Sequence, residues 1–107
     1  MGKKSRDKGG RTEREVVHVF QDAGIAAERI PLSGAAGGKF KGDVSAPIMG
    51  ADERFEVKCR AAGFKQIYDW LSDNYGLVIR ADRCEPLAVL RLRALVQLVK
   101  MAEGQRE

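Results

Sequence analysis

A strand-like stretch, a turn and a second strand-like stretch occupy residues 43–60. This unit constrains the fold more than any other part of the chain. Val44 to Ile48 is short and apolar. Gly50, Ala51 and Asp52 suit a turn, and a hairpin there brings the first stretch beside Arg54 to Cys59. In a strand, alternate side chains share a face. Phe55, Val57 and Cys59 therefore point one way and read as core, whereas Glu56 and Lys58 point the other. The same pairing brings Asp43, at the head of the first stretch, near Glu56.

Two carboxylates at that separation suit a hard divalent cation, and here an ammonium stands beside them. An acid, a gap, then an acid separated from a lysine by one residue is the skeleton of a metal-dependent phosphodiesterase site. The same spacing also describes an ordinary solvated surface pair. By itself it nominates Asp43, Glu56 and Lys58 as candidates and does not establish an activity.

Two further features bear on the choice. Thr12 to Ala23 reads as an amphipathic helix, with Val16, Val17, Val19, Phe20 and Ala23 at helical spacing and Gly24 as a stop. Glu13 lies three and four residues before Val16 and Val17, in line with the apolar stripe, whereas Glu15 falls off it. Glu13 is then either a first-turn acid favoured by the helix dipole or a ligand aimed at the sheet. The segment Ser33 to Gly42, SGAAGGKFKG, is glycine-rich and reads as a mobile loop. Lys39 and Lys41 set positive charge beside Asp43, which suits a phosphate-backbone ligand; an ordinary flexible linker has the same composition.

The remaining order is coarse but regular: a strand over Ile25–Pro31, strands over Asp43–Ile48 and Arg54–Arg60, and a helix from Phe64 to Asn74. A strand over Leu77–Ala81, another over Leu87–Leu92 and a closing helix over Arg93–Glu103 follow. This is an α/β layout with a mixed sheet flanked by helices. The 107 residues fit one domain, and 44% hydrophobic content supports a small core. No apolar run approaches a membrane span, and no signal-peptide core follows the basic N-terminus. Cys59 and Cys84 are isolated and His18 is the only histidine, which argues against a zinc site and for a cytoplasmic chain with reduced thiols. We read His18 as a helix surface or boundary residue.

The net charge of +4 is concentrated at the start, where Lys3, Lys4, Arg6, Lys8 and Arg11 face only Asp7. Residues 1–11 read as a basic flexible arm, with Gly9 and Gly10 as a joint before a single domain over residues 12–107. Such an arm binds nucleic acid by charge, or serves as a solubility tail. On the helix from Phe64, a stripe of Phe64, Ile67, Tyr68 and Leu71 reads as core. Tyr68 and Trp70 are also suited to a dimer contact. Arg60 and Lys65 are either phosphate contacts or solvated charges.

Taken in order, KGGRTEREVV (Lys8–Val17), RIPLSG (Arg29–Gly34), GD (Gly42-Asp43) and FEVKCR (Phe55–Arg60) resemble the archaeal-type Holliday junction resolvases. They also resemble the related small phage and bacterial proteins of the PD-(D/E)XK nuclease superfamily. FKQIYDWL and EPLAVLRL resemble the smaller phage-type relatives. The resemblance runs from about Lys8 to Lys100 and implies a restriction-endonuclease-like core. It implies that Glu13, Asp43 and Glu56 match the acidic site residues, with the Val57 carbonyl as an extra metal ligand and Lys58 as the catalytic lysine. It matches Ser33 to a loop serine that approaches DNA. Gly42 stands where the superfamily name has proline, and the long glycine-rich loop departs from the family pattern, which leaves the place of Ser33 and the substrate preference open.

The implied activity is Mg²⁺-dependent hydrolysis of DNA phosphodiesters, with Mn²⁺ as a substitute, by a homodimer acting on branched or double-stranded DNA. Two alternatives stand beside junction resolution. One is a nuclease of this fold acting on flaps, ends or duplex; the other is a non-catalytic DNA-binding module of the same fold.

Overall fold

The computed structural model describes residues 2–31 and 43–104, with side chains from residue 9 onward. The elements run in the order α1 (Gly2–Asp22), β1 (Glu28–Arg29), β2 (Val44–Ile48), β3 (Ala51–Phe55), α2 (Lys65–Leu71), β4 (Gly76–Ile79), β5 (Leu87–Leu90) and α3 (Leu92–Gly104). The kind and sequence of elements match the reading of the chain. Several bounds and the sheet arrangement differ.

Helix α1 starts at Gly2 and not at Thr12, so Gly9 and Gly10 lie inside it. The basic segment is rich in lysine and arginine, which are good helix formers, and it holds no proline or β-branched run to stop the helix earlier. At the other end the sequence stop is where expected. Ile25 N–H donates to Phe20 O at 3.0 Å and Gly24 N–H to Gln21 O at 2.9 Å. Gly24 sits at φ +85°. This is a glycine C-cap in which the positive φ lets the chain turn back over the last helical carbonyls. The cap uses Ile25, which is why β1 is confined to Glu28–Arg29 and does not span Ile25–Pro31.

Strand β1 pairs antiparallel with β2, and β2 pairs antiparallel with β3 in the register Val44↔Phe55 to Ile48↔Ala51. Met49 and Gly50 both have positive φ, 53° and 89°. That is the backbone of a tight two-residue hairpin whose twist matches the strands. Met49 N–H donates to Glu103 Oε2 at 3.0 Å, so α3's last turn holds the hairpin tip.

The single mixed sheet expected from the sequence is not formed among the described residues. There are two antiparallel sheets, β1-β2-β3 and β4-β5. The physical reason lies in the ladder: β2 begins at Val44, so beyond Phe55 the third strand has no backbone partner, and residues 56–60 carry no strand pairing. The hairpin β4–β5 pairs only with itself, in the register Gly76↔Leu90 to Ile79↔Leu87.

The core is one cluster of Val17, Phe20, Ile25, Ala27, Val44, Ala46, Val96 and Val99, with Phe55 and Val57 packed on its edge. Helices α1 and α3 both bury their apolar stripes in it. Phe20 is fully buried and its ring meets Phe55 at 5.3 Å between centroids, tilted by 46°. Burial of such a side chain contributes about 1.5–3 kcal/mol, and here it anchors α1 against the strand that leads into Glu56. Residues 60–91 are different: only Leu71 is buried there. Tyr68, expected on the α2 core stripe, is 74% exposed, and Trp70 is 55% exposed. The two-stranded β4–β5 sheet gives α2 too little surface to cover its whole stripe. Arg91 fastens this region by donating to the carbonyls of Asn74, at 3.2 Å, and Ser72.

Candidate active site

The β2–β3 pairing builds the site from its strand ends. Asp43 N–H donates to Phe55 O at 2.9 Å, and Asp43 O accepts from Ile30 N–H at 3.0 Å. The ladder would end there. Instead Asp43 Oδ2 accepts from Val57 N–H at 2.8 Å. A side-chain carboxylate thus takes the place of the missing strand acceptor and holds residues 56–58 against the head of β2.

The alternation predicted for this stretch holds across that point. Phe55 and Val57 pack on the core. Glu56 and Lys58 point away from it and pair at 3.1 Å between Glu56 Oε2 and Lys58 Nζ, each side chain 57% exposed. Cys59, read as core from its parity, is exposed, because the core does not extend beyond Val57. Glu56, Val57 and Lys58 thus follow one another on one short stretch of backbone, and Asp43, from the head of β2, is tied to that stretch at Val57 N–H.

Glu13 is on α1, partly buried as its place in the stripe predicts, while Glu15 is exposed. Its Oε1 accepts from Arg29 Nε at 2.9 Å and lies 2.9 Å from Arg29 Nη2. Among the described residues, no three His, Cys, Asp or Glu side chains come together as a group able to hold a metal ion. The expected trio of Glu13, Asp43 and Glu56 is therefore not closed, and Glu13 is held by a guanidinium. The remaining candidate donors, the carboxylates of Asp43 and Glu56 and the Val57 carbonyl, are all hard oxygen ligands. Their chemistry fits a cation of the Mg²⁺ class and not a soft metal.

The expected DNA contacts divide three ways. Arg11 and Arg60 are exposed. Lys65 is also exposed but pairs with Asp69 at 2.8 Å along α2. The side chains of Lys3, Lys4, Arg6 and Lys8, and the whole of Ser33, Lys39 and Lys41, lie outside what the structure describes. His18 is exposed, as read. Arg29 is the residue that sequence reasoning missed. Its signal was a lone cation in the apolar stretch from Ile25 to Leu32, opposite a helix carrying an in-stripe acid.

The family model for archaeal Holliday junction resolvases (Hjc) matches residues 4–101. The chain belongs to that family. No curated protein matches, and no solved structure does. Membership in the Hjc family gives a junction-resolving nuclease, a DNA-binding protein of recombination and repair, and branched DNA as its ligand. The match spans most of α1 through most of α3 and includes Glu13, Arg29, Asp43, Glu56, Val57 and Lys58. No helix among the described residues is long and apolar enough to cross a membrane.

Proposed function

We propose that this Hjc-family chain is a divalent-metal-dependent, structure-selective endonuclease that cuts four-way DNA junctions as a homodimer. We also propose that its core is of the restriction-endonuclease-like type. The observation that supports the reading is the Asp43–Val57 hydrogen bond, because it ties an acid to the backbone between Glu56 and Lys58 where strand pairing alone would have ended.

Each residue has a role that its chemistry supports. Asp43, Glu56 and the Val57 carbonyl would hold Mg²⁺, or Mn²⁺ in its place, with Glu13 completing the set. When bound, the ion makes a coordinated water more acidic and offsets charge gathering on the phosphate. Lys58 presents its ammonium to the developing charge on the phosphate and orients the attacking water; the Glu56 carboxylate holds that ammonium in place. Arg11, Arg60 and the basic residues of the first turns supply backbone contacts. Dimerisation would give two sites related by a two-fold axis, matching the two opposed strands a junction must have cut.

The test is direct. With Mg²⁺, wild-type protein is expected to nick a four-way junction and to leave a linear duplex of the same strands largely intact. Asp43→Ala protein is expected to bind the junction and not cut it. Cleavage by Asp43→Ala at the wild-type rate would remove the site assignment. Equal cutting of junction and duplex would leave a nuclease without junction selectivity.

A further inference from the structure

One acid of the proposed site is already occupied. Glu13 Oε1 takes both the Nε and the Nη2 contacts of Arg29, each at 2.9 Å. The Glu13 side chain is 20% exposed, whereas that of Arg29 is 46% exposed. Arg29 therefore reaches from a sheltered carboxylate towards solvent. Its strand position is opposite Val44, directly beside Asp43.

A divalent ion that recruits Glu13 must compete with this guanidinium. Two effects act in the same direction. Arg29 occupies an oxygen the ion would use, and it places a like charge near the incoming ion. Arginine's planar fork is equally suited to a phosphate, which binds it in the same two-pronged way. Junction DNA therefore offers Arg29 a replacement partner.

We propose that Arg29 is a latch on Glu13. It holds the carboxylate while no DNA is bound, exchanges it for a backbone phosphate of bound DNA, and so releases Glu13 to the Asp43–Glu56 site. The inference rests on the reading of Glu13 as a site residue. Its consequence is linkage: DNA and the divalent ion bind with positive coupling, and the free protein holds its metal weakly. The latch would thus confine full assembly of the site to protein already on DNA.

The test reads binding, not cleavage. Mn²⁺ is titrated into DNA-free protein and the free ion is followed by electron paramagnetic resonance. The proteins compared are wild type, Arg29→Gln, Glu13→Gln and the double variant. Arg29→Gln is expected to bind Mn²⁺ about 5- to 10-fold tighter, within the usual range of coupling between sites. That gain is expected to vanish in the Glu13→Gln background, since the latch acts only through Glu13. In EDTA, Arg29→Gln is expected to bind a junction more weakly, with a salt dependence shallower by about one phosphate contact.

Unchanged or weaker Mn²⁺ binding, a gain that persists without Glu13, or an unchanged junction affinity would each overturn the latch. Should Arg29→Gln fail to fold, Arg29→Lys keeps the charge and loses the fork. It is expected to show a smaller gain of the same sign, and no gain would overturn the proposal. Protein that shows this binding pattern but cuts no DNA would end the nuclease reading and leave the latch standing. An active nuclease without the pattern would do the reverse.

Discussion

Asp43 combines a structural and a chemical task in one carboxylate, and the two can be separated. Its Oδ2 closes the gap left by the strand ladder through Val57 N–H. Asparagine keeps an oxygen acceptor there and loses the charge; alanine loses both. We expect Asp43→Asn and Asp43→Ala to be alike in having no detectable junction cleavage. Asp43→Asn should melt close to wild type, whereas Asp43→Ala should lose about 1–3 kcal/mol, the cost of leaving a sheltered N–H without a partner. Thermal denaturation beside a cleavage assay checks both; equal stability of the two variants would show that the hydrogen bond does not support the site. Glu56 and Lys58 were legible in the sequence because a strand's period of two is a local rule. The Glu13–Arg29 pair was not legible. It joins residues 16 apart, and no local rule states how a helix will lie on a two-residue strand.

At the level of elements, the hairpin turn decides whether Asp43 faces Phe55 at all. Gly50 has φ 89°, a conformation that costs a side-chain-bearing residue about 1–2 kcal/mol. Gly50→Val should therefore lower stability by about that amount, measured by urea denaturation. A larger fall would point to a register slip and should be accompanied by loss of cleavage. Helix α1 raises a separate question about the basic first turns. Deleting residues 1–10 should weaken junction binding and flatten its salt dependence, since fewer counterions are released. It should leave the cleavage rate at saturating protein close to wild type. An unchanged salt slope would show that these residues do not touch DNA. The elements themselves were readable from apolar spacing and from stops such as Gly24. Their grouping was not, because whether β3 goes on to join β4 depends on partners far along the chain.

For the molecule as a whole, the proposed homodimer rests on one candidate site per chain and a ligand with two-fold symmetry. Light scattering without DNA is expected to give twice the 11.8 kDa chain mass at micromolar concentration. Unlabelled junction is expected to displace labelled junction more effectively than linear duplex of equal length, because two sites at a fixed separation gain avidity. A monomer at all concentrations, with no preference between the two DNAs, would remove the symmetric reading. The surface available for pairing includes Tyr68, Trp70, Tyr75, Val78 and Leu87, each more than half exposed.

The sparse burial of residues 60–91 has a thermodynamic corollary. A segment whose only buried residue is Leu71 has little apolar surface resisting its opening, and a two-stranded hairpin is marginal alone. Its free energy of opening should therefore fall well below that of the cluster around Phe20. In heavy water the backbone amides of β4 and β5 would exchange first, while those of α1 near Val17 and Phe20 exchange last. The expected order of exchange sets residues 60–91 apart from the cluster on which the strand leading to Glu56 is anchored.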